Sequence, residues 1–145
     1  MKILDVNVLL YAVNSASTHH VVVKQWLDTA LASDETLGVP WVAALGFLRI
    51  ATNPRAMTTP LTPQQALAFL DALFAYPNVV QIAPGKEHWA LLRDLIAKAQ
   101  TAGNLTTDAH LAALAIEHGA ELCSTDGDFS RFKALRWVNP IAKTA

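Results

Sequence analysis

The chain has 145 residues, with eleven Lys and Arg against twelve Asp and Glu for a net charge of −1, so charge alone announces no nucleic-acid partner. With 52% hydrophobic and only 16% charged residues, disorder is excluded, and the length suits one domain, residues 1–145. A mean hydropathy of +0.28 calls for a large core or for an apolar face that a partner covers.

In chain order, Lys2–Asp5 reads as a first strand, followed by a short helix over Val8–Val13. Val22, Trp26 and Leu27 give Val21–Leu31 an amphipathic helical pattern. Thr36–Val39 is a short strand, and Trp41–Ala51 a strongly apolar helix that must stop at Asn53-Pro54, because a residue before proline avoids the helical region. Thr62 and Pro63 supply an N-cap and a first-turn proline for a helix continuing through Gln64–Phe74, which Tyr76-Pro77 ends. Val79–Ile82 is a strand. Lys86–Gln100 carries a helical stripe of Trp89, Leu92, Leu95, Ile96 and Ala99. Thr107–His118 is a helix that Gly119 terminates, Glu121–Ser124 a strand, and Leu135–Val138 a last short one. Strands alternating with helices, without long linkers or repeats, predict a three-layer α/β/α fold around a mainly parallel sheet.

No window resembles a membrane span: the uncharged stretches Thr36–Leu48 and Ala56–Leu70 fall short of the roughly 20 apolar residues required and contain Pro40, Pro60 and Pro63. Asp5 interrupts the first apolar run, so no secretory signal is expected, and the single Cys123 offers neither a disulfide framework nor zinc-type spacing. A cytoplasmic protein is expected, with Cys123 a small buried apolar residue.

The acids are the informative feature. Asp5 directly follows Ile3-Leu4, Asp108 opens an alanine-rich helix, and Asp126 and Asp128 close the run Leu122-Cys123-Ser124-Thr125. Each has a plain structural explanation: Asp108 suits a helix first turn, and Asp126 and Asp128 suit a turn around Gly127. Asp5 has no loop to separate it from the core. Acids on three separate elements, all near strand ends or helix starts, point to one shared compensator, because strand C-termini of an open α/β fold converge on one edge. Carboxylate oxygens suit a hard divalent cation, Mg²⁺ or Mn²⁺, which lowers the pKa of bound water and orients it for attack on phosphorus.

Around this set, Asn7 and Asn104 are amides able to bind a phosphate oxygen or hold a carboxylate, or to serve as cap and turn residues, and Thr125 is placed to orient a carboxylate or a water. Arg49 is a candidate phosphate contact or acid partner. Together with Arg55, Lys86, Arg93, Arg131, Lys133 and Arg136 it can line a basic groove beside the acids, or these can be scattered surface charges. His19 and His20 read as solvated first-turn residues, and His110 as a packing or hydrogen-bonding side chain on another helical face than Asp108. The four tryptophans, Trp26, Trp41, Trp89 and Trp137, are expected in core or interface.

These residues, in this order, resemble the PIN-domain ribonucleases, and in particular the VapC-type toxins of bacterial toxin–antitoxin systems. The resemblance covers nearly the whole chain: Asp5-Val6-Asn7-Val8-Leu9-Leu10-Tyr11, Pro40-Trp41, Phe47–Arg55, Gly103–Ala115, and Ser124-Thr125-Asp126-Gly127-Asp128-Phe129. It implies a PIN-like fold and a Mg²⁺- or Mn²⁺-dependent endoribonuclease hydrolysing RNA phosphodiester bonds. Asp5, Asp108 and Asp126 match the family's metal-binding and catalytic acids, with Asp128 as an additional metal ligand. Homodimerisation and a cognate VapB-type antitoxin are also implied. One departure stands out: the pattern places a glutamate three residues before Arg49, where this chain has Gly46, and no acid occurs between Glu35 and Asp71.

That gap motivates an alternative, a catalytically weak module that binds RNA or antitoxin. A haloacid-dehalogenase-type phosphatase also begins with an aspartate after its first strand, but it needs an acid where Asn7 stands and a lysine near Asp126. A receiver-like domain would need an acid after Val79–Ile82, which Ala83-Pro84-Gly85 lacks.

Overall fold

The computed structural model describes residues 1–141. Its elements are β1 (Lys2–Leu4), α1 (Val6–Val13), α2 (His20–Leu31), β2 (Leu37–Pro40), α3 (Trp41–Ala51), α4 (Pro63–Ala75), β3 (Val79–Ile82), α5 (His88–Ala99), α6 (Thr106–Glu117), β4 (Glu121–Cys123) and β5 (Trp137–Val138). The five strands form one parallel sheet in the order β3-β2-β1-β4-β5. The expected elements are all present, with bounds moved by one or two residues. Two 3₁₀ turns, Gly103–Leu105 and Gly127–Arg131, are additions that periodicity could not announce.

Alternation along the strands divides the interior in two. Leu4, Leu37, Val39 and Cys123 point to one side of the sheet and meet Val8, Leu9, Leu27, Phe47 and Leu70 from α1 to α4. Ile3, Ile82 and Leu122 point to the other and meet Leu95, Leu111, Leu114 and Phe129. The side-chain period of two in a strand is what forces this partition. Cys123 is fully buried, as expected, and burial pushes its thiol up to about 12.

Local chemistry sets the element ends. Thr62 caps α4 in a reciprocal capping box with Gln65, which satisfies two backbone N–H groups that the helix leaves open. At the end of α6, Gly119 takes φ +61°, and the bonds Ala120 N–H to Ala115 O and Gly119 N–H to Ile116 O close the helix in a Schellman turn. Glu117 accepts the backbone N–H groups of Gly85 and Glu87, so the start of α5 lies against the end of α6 and the two run antiparallel.

β1 is the strand where the topology reverses: β2 and β3 build outward on one side of it, β4 and β5 on the other. The crevice beyond the carboxyl ends of β1 and β4 is therefore where an open α/β sheet places a site.

Candidate metal centre

Leu4 pairs in register with Cys123, so the residues that follow them, Asp5 and Ser124, leave the sheet side by side. Asp5 caps α1, its Oδ1 accepting from Val6 N–H at 2.7 Å, and is only 6% exposed. Ser124 is completely buried and acts as a hub. Its hydroxyl donates to Asp5 Oδ2 at 2.8 Å and accepts from Asn7 Nδ2 at 3.0 Å and from Asp126 N–H at 3.0 Å. Asn7 also donates to Asp5 Oδ2 at 3.2 Å, and its Oδ1 accepts from Thr125 N–H at 3.1 Å. Of the roles open to Asn7 from sequence, the structure shows carboxylate holding.

In front of this frame stand the other acids. One carboxylate oxygen each from Asp108, Asp126 and Asp128 lies within 4.8 Å of the others. Asp108 comes from the first turn of α6, while Asp126 caps the 3₁₀ turn Gly127–Arg131 through a 2.9 Å bond from Asp128 N–H to its Oδ1. The structural explanations therefore hold as far as they go. They do not account for three carboxylates meeting, nor for Asp108, to which no donor is directed among the described residues.

The electrostatics follow from this geometry. Burial is the first cause that pushes the Asp108 carboxyl up to about 6, followed by the charges of Asp126, Asp5 and Asp128. Asp5 is also raised by burial, opposed by its bonds from Ser124 and Val6, with Asp126 adding to the rise and Asn7 to the opposition. Carboxylates that burial and one another's charge both raise are ones whose ionised form a bound cation would favour. The donor set is all carboxylate oxygen with no thiol or imidazole, which fits a hard divalent cation rather than zinc. Asp108, Asp126 and Asp128 would hold such an ion, and Asp5 lies behind them, joined through Ser124 and outside the close trio.

The remaining candidates are placed as follows. Asn104 is exposed in the 3₁₀ turn just before α6. Thr125 contributes its backbone N–H to Asn7. Arg49 is exposed in the last turn of α3, about 12 Å along the axis from Trp41 at 1.5 Å per residue. Gly46 faces the start of α1: a Cβ there would lie 3.2 Å from Val6 Cγ2. A side chain at 46 would need Val6 to give by a few tenths of an ångström, so the bare position lets α3 approach α1 closely beside Asp5. His20 bonds Tyr11 O through Nδ1 at 2.8 Å, and His19 sets its ring edge-on to Tyr11; both tie α2 to α1. His110 faces away from the acids and meets His88 Nε2 at 2.9 Å. Trp41 and Trp89 are 52% and 70% exposed, so neither fills the core.

The PIN domain profile matches residues 2–135 of this chain. The chain belongs to the PIN-domain family. Ribonuclease VapC37 of Mycobacterium tuberculosis is 43% identical over 142 residues, which cover 98% of this chain and 99% of that protein. Ribonuclease VapC25 of the same organism is 39% identical over 140 residues, covering 97% of this chain and 99% of that one. Among solved structures, VapBC2 from Rickettsia felis bound to a promoter DNA fragment aligns with a TM-score of 0.71 at 17% identity, covering 95% of this chain and 97% of that chain. VapBC-1 from nontypeable Haemophilus influenzae aligns with a TM-score of 0.68 at 15% identity, covering 97% and 98%. At those identities the structures speak for the fold alone. PIN nucleases use divalent metal ions, and the acid cluster here is of the kind that holds one. No helix among the described residues is long and apolar enough to cross a membrane.

Proposed function

We propose that this PIN-domain protein is a metal-dependent endoribonuclease of the VapC type, a toxin that cuts RNA phosphodiester bonds and is neutralised by a cognate VapB-type antitoxin. The observation that carries this reading is the meeting of Asp108, Asp126 and Asp128 at the strand-order reversal, with Asp5 fixed behind them by Ser124. The near-full-length likeness to named VapC ribonucleases supports the reaction class. The fold neighbours include VapBC complexes, and we propose a partner of that kind for this chain. Homodimerisation and a cytoplasmic location, with residues 1–145 as a single domain, complete the reading.

A bound divalent cation supplies charge compensation for the phosphate and a water of lowered pKa for attack on phosphorus. The chain's own contribution is positional. Asp108, Asp126 and Asp128, together with Asp5, would hold the cation, and Mg²⁺ or Mn²⁺ is the proposed ion. Asp5 adds negative charge from a fixed position, and the Ser124–Asn7 bonds hold both the Asp5 carboxylate and the Asp126 backbone N–H in place. Asn104, Thr125 and Arg49 are proposed substrate contacts, and Asn7 sets the wall of the site.

The test is cleavage of mixed structured RNAs by purified protein in Mg²⁺ or Mn²⁺, with Asp5→Ala prepared identically. Activity that EDTA and Asp5→Ala both remove supports the nuclease. Equal activity in both proteins means contamination and removes the support. RNA binding without turnover in either metal would favour a binding module, the reading that Gly46 motivates.

A further inference from the structure

With four of the twelve acids gathered at the site, eight remain against eleven Lys and Arg over the rest of the chain, a surplus of positive charge. The structure distributes these cations unevenly. Arg136 donates to Gly119 O at 2.6 Å, beyond the opposite end of the sheet, and Lys24 is paired with Asp28 at 2.7 Å on α2. Arg131 and Lys133 make no ion pair among the described residues, as is also true of Arg49, Arg55, Lys86 and Arg93; what sets the two apart is that they share one cleft. They line a cleft of about 430 Å³, with Lys98 and Asp94 from the last turns of α5 on its other side. Lys98 is bound to Asp94 at 3.0 Å, so the uncompensated charge in the cleft belongs to Arg131 and Lys133.

The cleft is tied to the acids by a short, fixed segment. The 3₁₀ turn Gly127–Arg131 carries Asp128 near its start and Arg131 at its end. Side chains three apart in such a turn eclipse, and the rise of roughly 2 Å per residue sets them about 6 Å apart along its axis. Asp128 and Arg131 therefore share one side of the turn. Phe129 and Phe132 are buried, with ring centroids 6.3 Å apart, and anchor the segment from beneath. The bonds Phe132 N–H to Phe129 O and Leu135 N–H to Phe132 O continue the series of turns past Lys133. Cations held at a fixed offset from a phosphoryl-transfer centre suit the next phosphates of the same strand, because phosphate contacts set register without reading sequence.

We propose that the cleft between the end of α5 and residues 131–134 receives the RNA backbone flanking the scissile phosphate, with Arg131 and Lys133 as positioning residues. This rests on the ribonuclease reading and assigns the path that the substrate takes away from the acids. The two cations hold the strand in register for cleavage and take no part in the chemistry.

The experiment is fluorescence-anisotropy titration of a labelled single-stranded RNA in Ca²⁺ across a salt series, with RNA integrity checked on a gel. Arg131→Gln/Lys133→Gln is expected to bind several-fold more weakly at low salt. It should reduce the slope of log affinity against log salt by about 1.4, at about 0.7 per phosphate contact on a single strand. Arg131→Lys should keep most of the slope, and Lys24→Gln all of it. In Mg²⁺ or Mn²⁺ the double variant should raise KM with kcat retained. Wild-type binding that the double variant matches in affinity and slope would overturn the assignment while leaving the ribonuclease reading intact. Wild-type protein that binds no RNA at any salt would overturn both.

Discussion

Asp5 and Asp108 are the same residue type, both raised first by burial, and the protein surrounds them in different ways. Asp5 is buried and accepts hydrogen bonds from Val6, Asn7 and Ser124. Asp108 is partly exposed, has no donor directed to it among the described residues, and is pushed up to about 6. One carboxylate is held by three protein donors, although burial still raises it, and the other has no donor directed to it. A buried polar frame held by several hydrogen bonds is rigid, and carboxylates brought close together are a place that a cation would favour. The site divides its work between these two halves.

The largest expected effect breaks the open half. Asp126→Asn removes a member of the trio and leaves the Ser124 frame bonded through backbone, so Mn²⁺-dependent RNA cleavage should fall below detection while circular dichroism stays native. Unchanged cleavage would mean the trio is not the reaction centre.

Breaking the closed half should act differently. Ser124→Ala strips a donor from buried Asp5 and an acceptor from Asn7 and Asp126, at about 1–3 kcal/mol of stability. Divalent-metal affinity should weaken by roughly 10–100-fold, as for loss of a group that orients ligands. Urea unfolding and calorimetric titration read the two losses separately, and a variant that loses neither would show that the frame is ornamental.

Acidity distinguishes the halves more finely. The folded pKa of Asp108, about 6, lies above its ordinary 3.8, so its ionisation opposes folding. Its contribution is fully present below that ordinary value and is lost as pH rises through about 6. In metal-free protein, Asp108→Asn should therefore melt higher than wild type above pH 6, with the difference vanishing towards pH 4. Saturating Mn²⁺ should reverse the order at neutral pH, because only the wild type gains a full set of ligands. Melting curves with and without EDTA test both signs.

The smallest effect is expected at Gly46. Alanine there gains up to about 1 kcal/mol of helix propensity and meets Val6 Cγ2 at 3.2 Å. The two should largely cancel, leaving stability within about 1 kcal/mol of wild type. A large loss would show that α1 cannot yield beside Asp5.

The acids were legible because carboxylates beside Leu4 and Cys123 conflict with their surroundings, and conflict of this kind is visible in one dimension. Ser124 was not. A serine ending an apolar run looks like a strand terminus, and only the register Leu4 to Cys123 brings it against Asp5. The contact of His88 with His110 was hidden for the same reason, since it needs the antiparallel packing of α5 on α6. Gly46 gave the opposite lesson. It looked like a missing ligand, and the packing shows what its bareness permits.

The sequence by itself determined the parallel α/β layering, the ends of α4 and α6, and which acids to watch, because periodicity, capping and misplaced charge act between near neighbours. Only the tertiary structure decided that Asp108, Asp126 and Asp128 close into a trio joined to Asp5 through Ser124, and that Arg131 and Lys133 line one cleft with the end of α5. Those relations depend on strand register and on the turn that Phe129 and Phe132 anchor, distances set by packing between segments far apart in the chain.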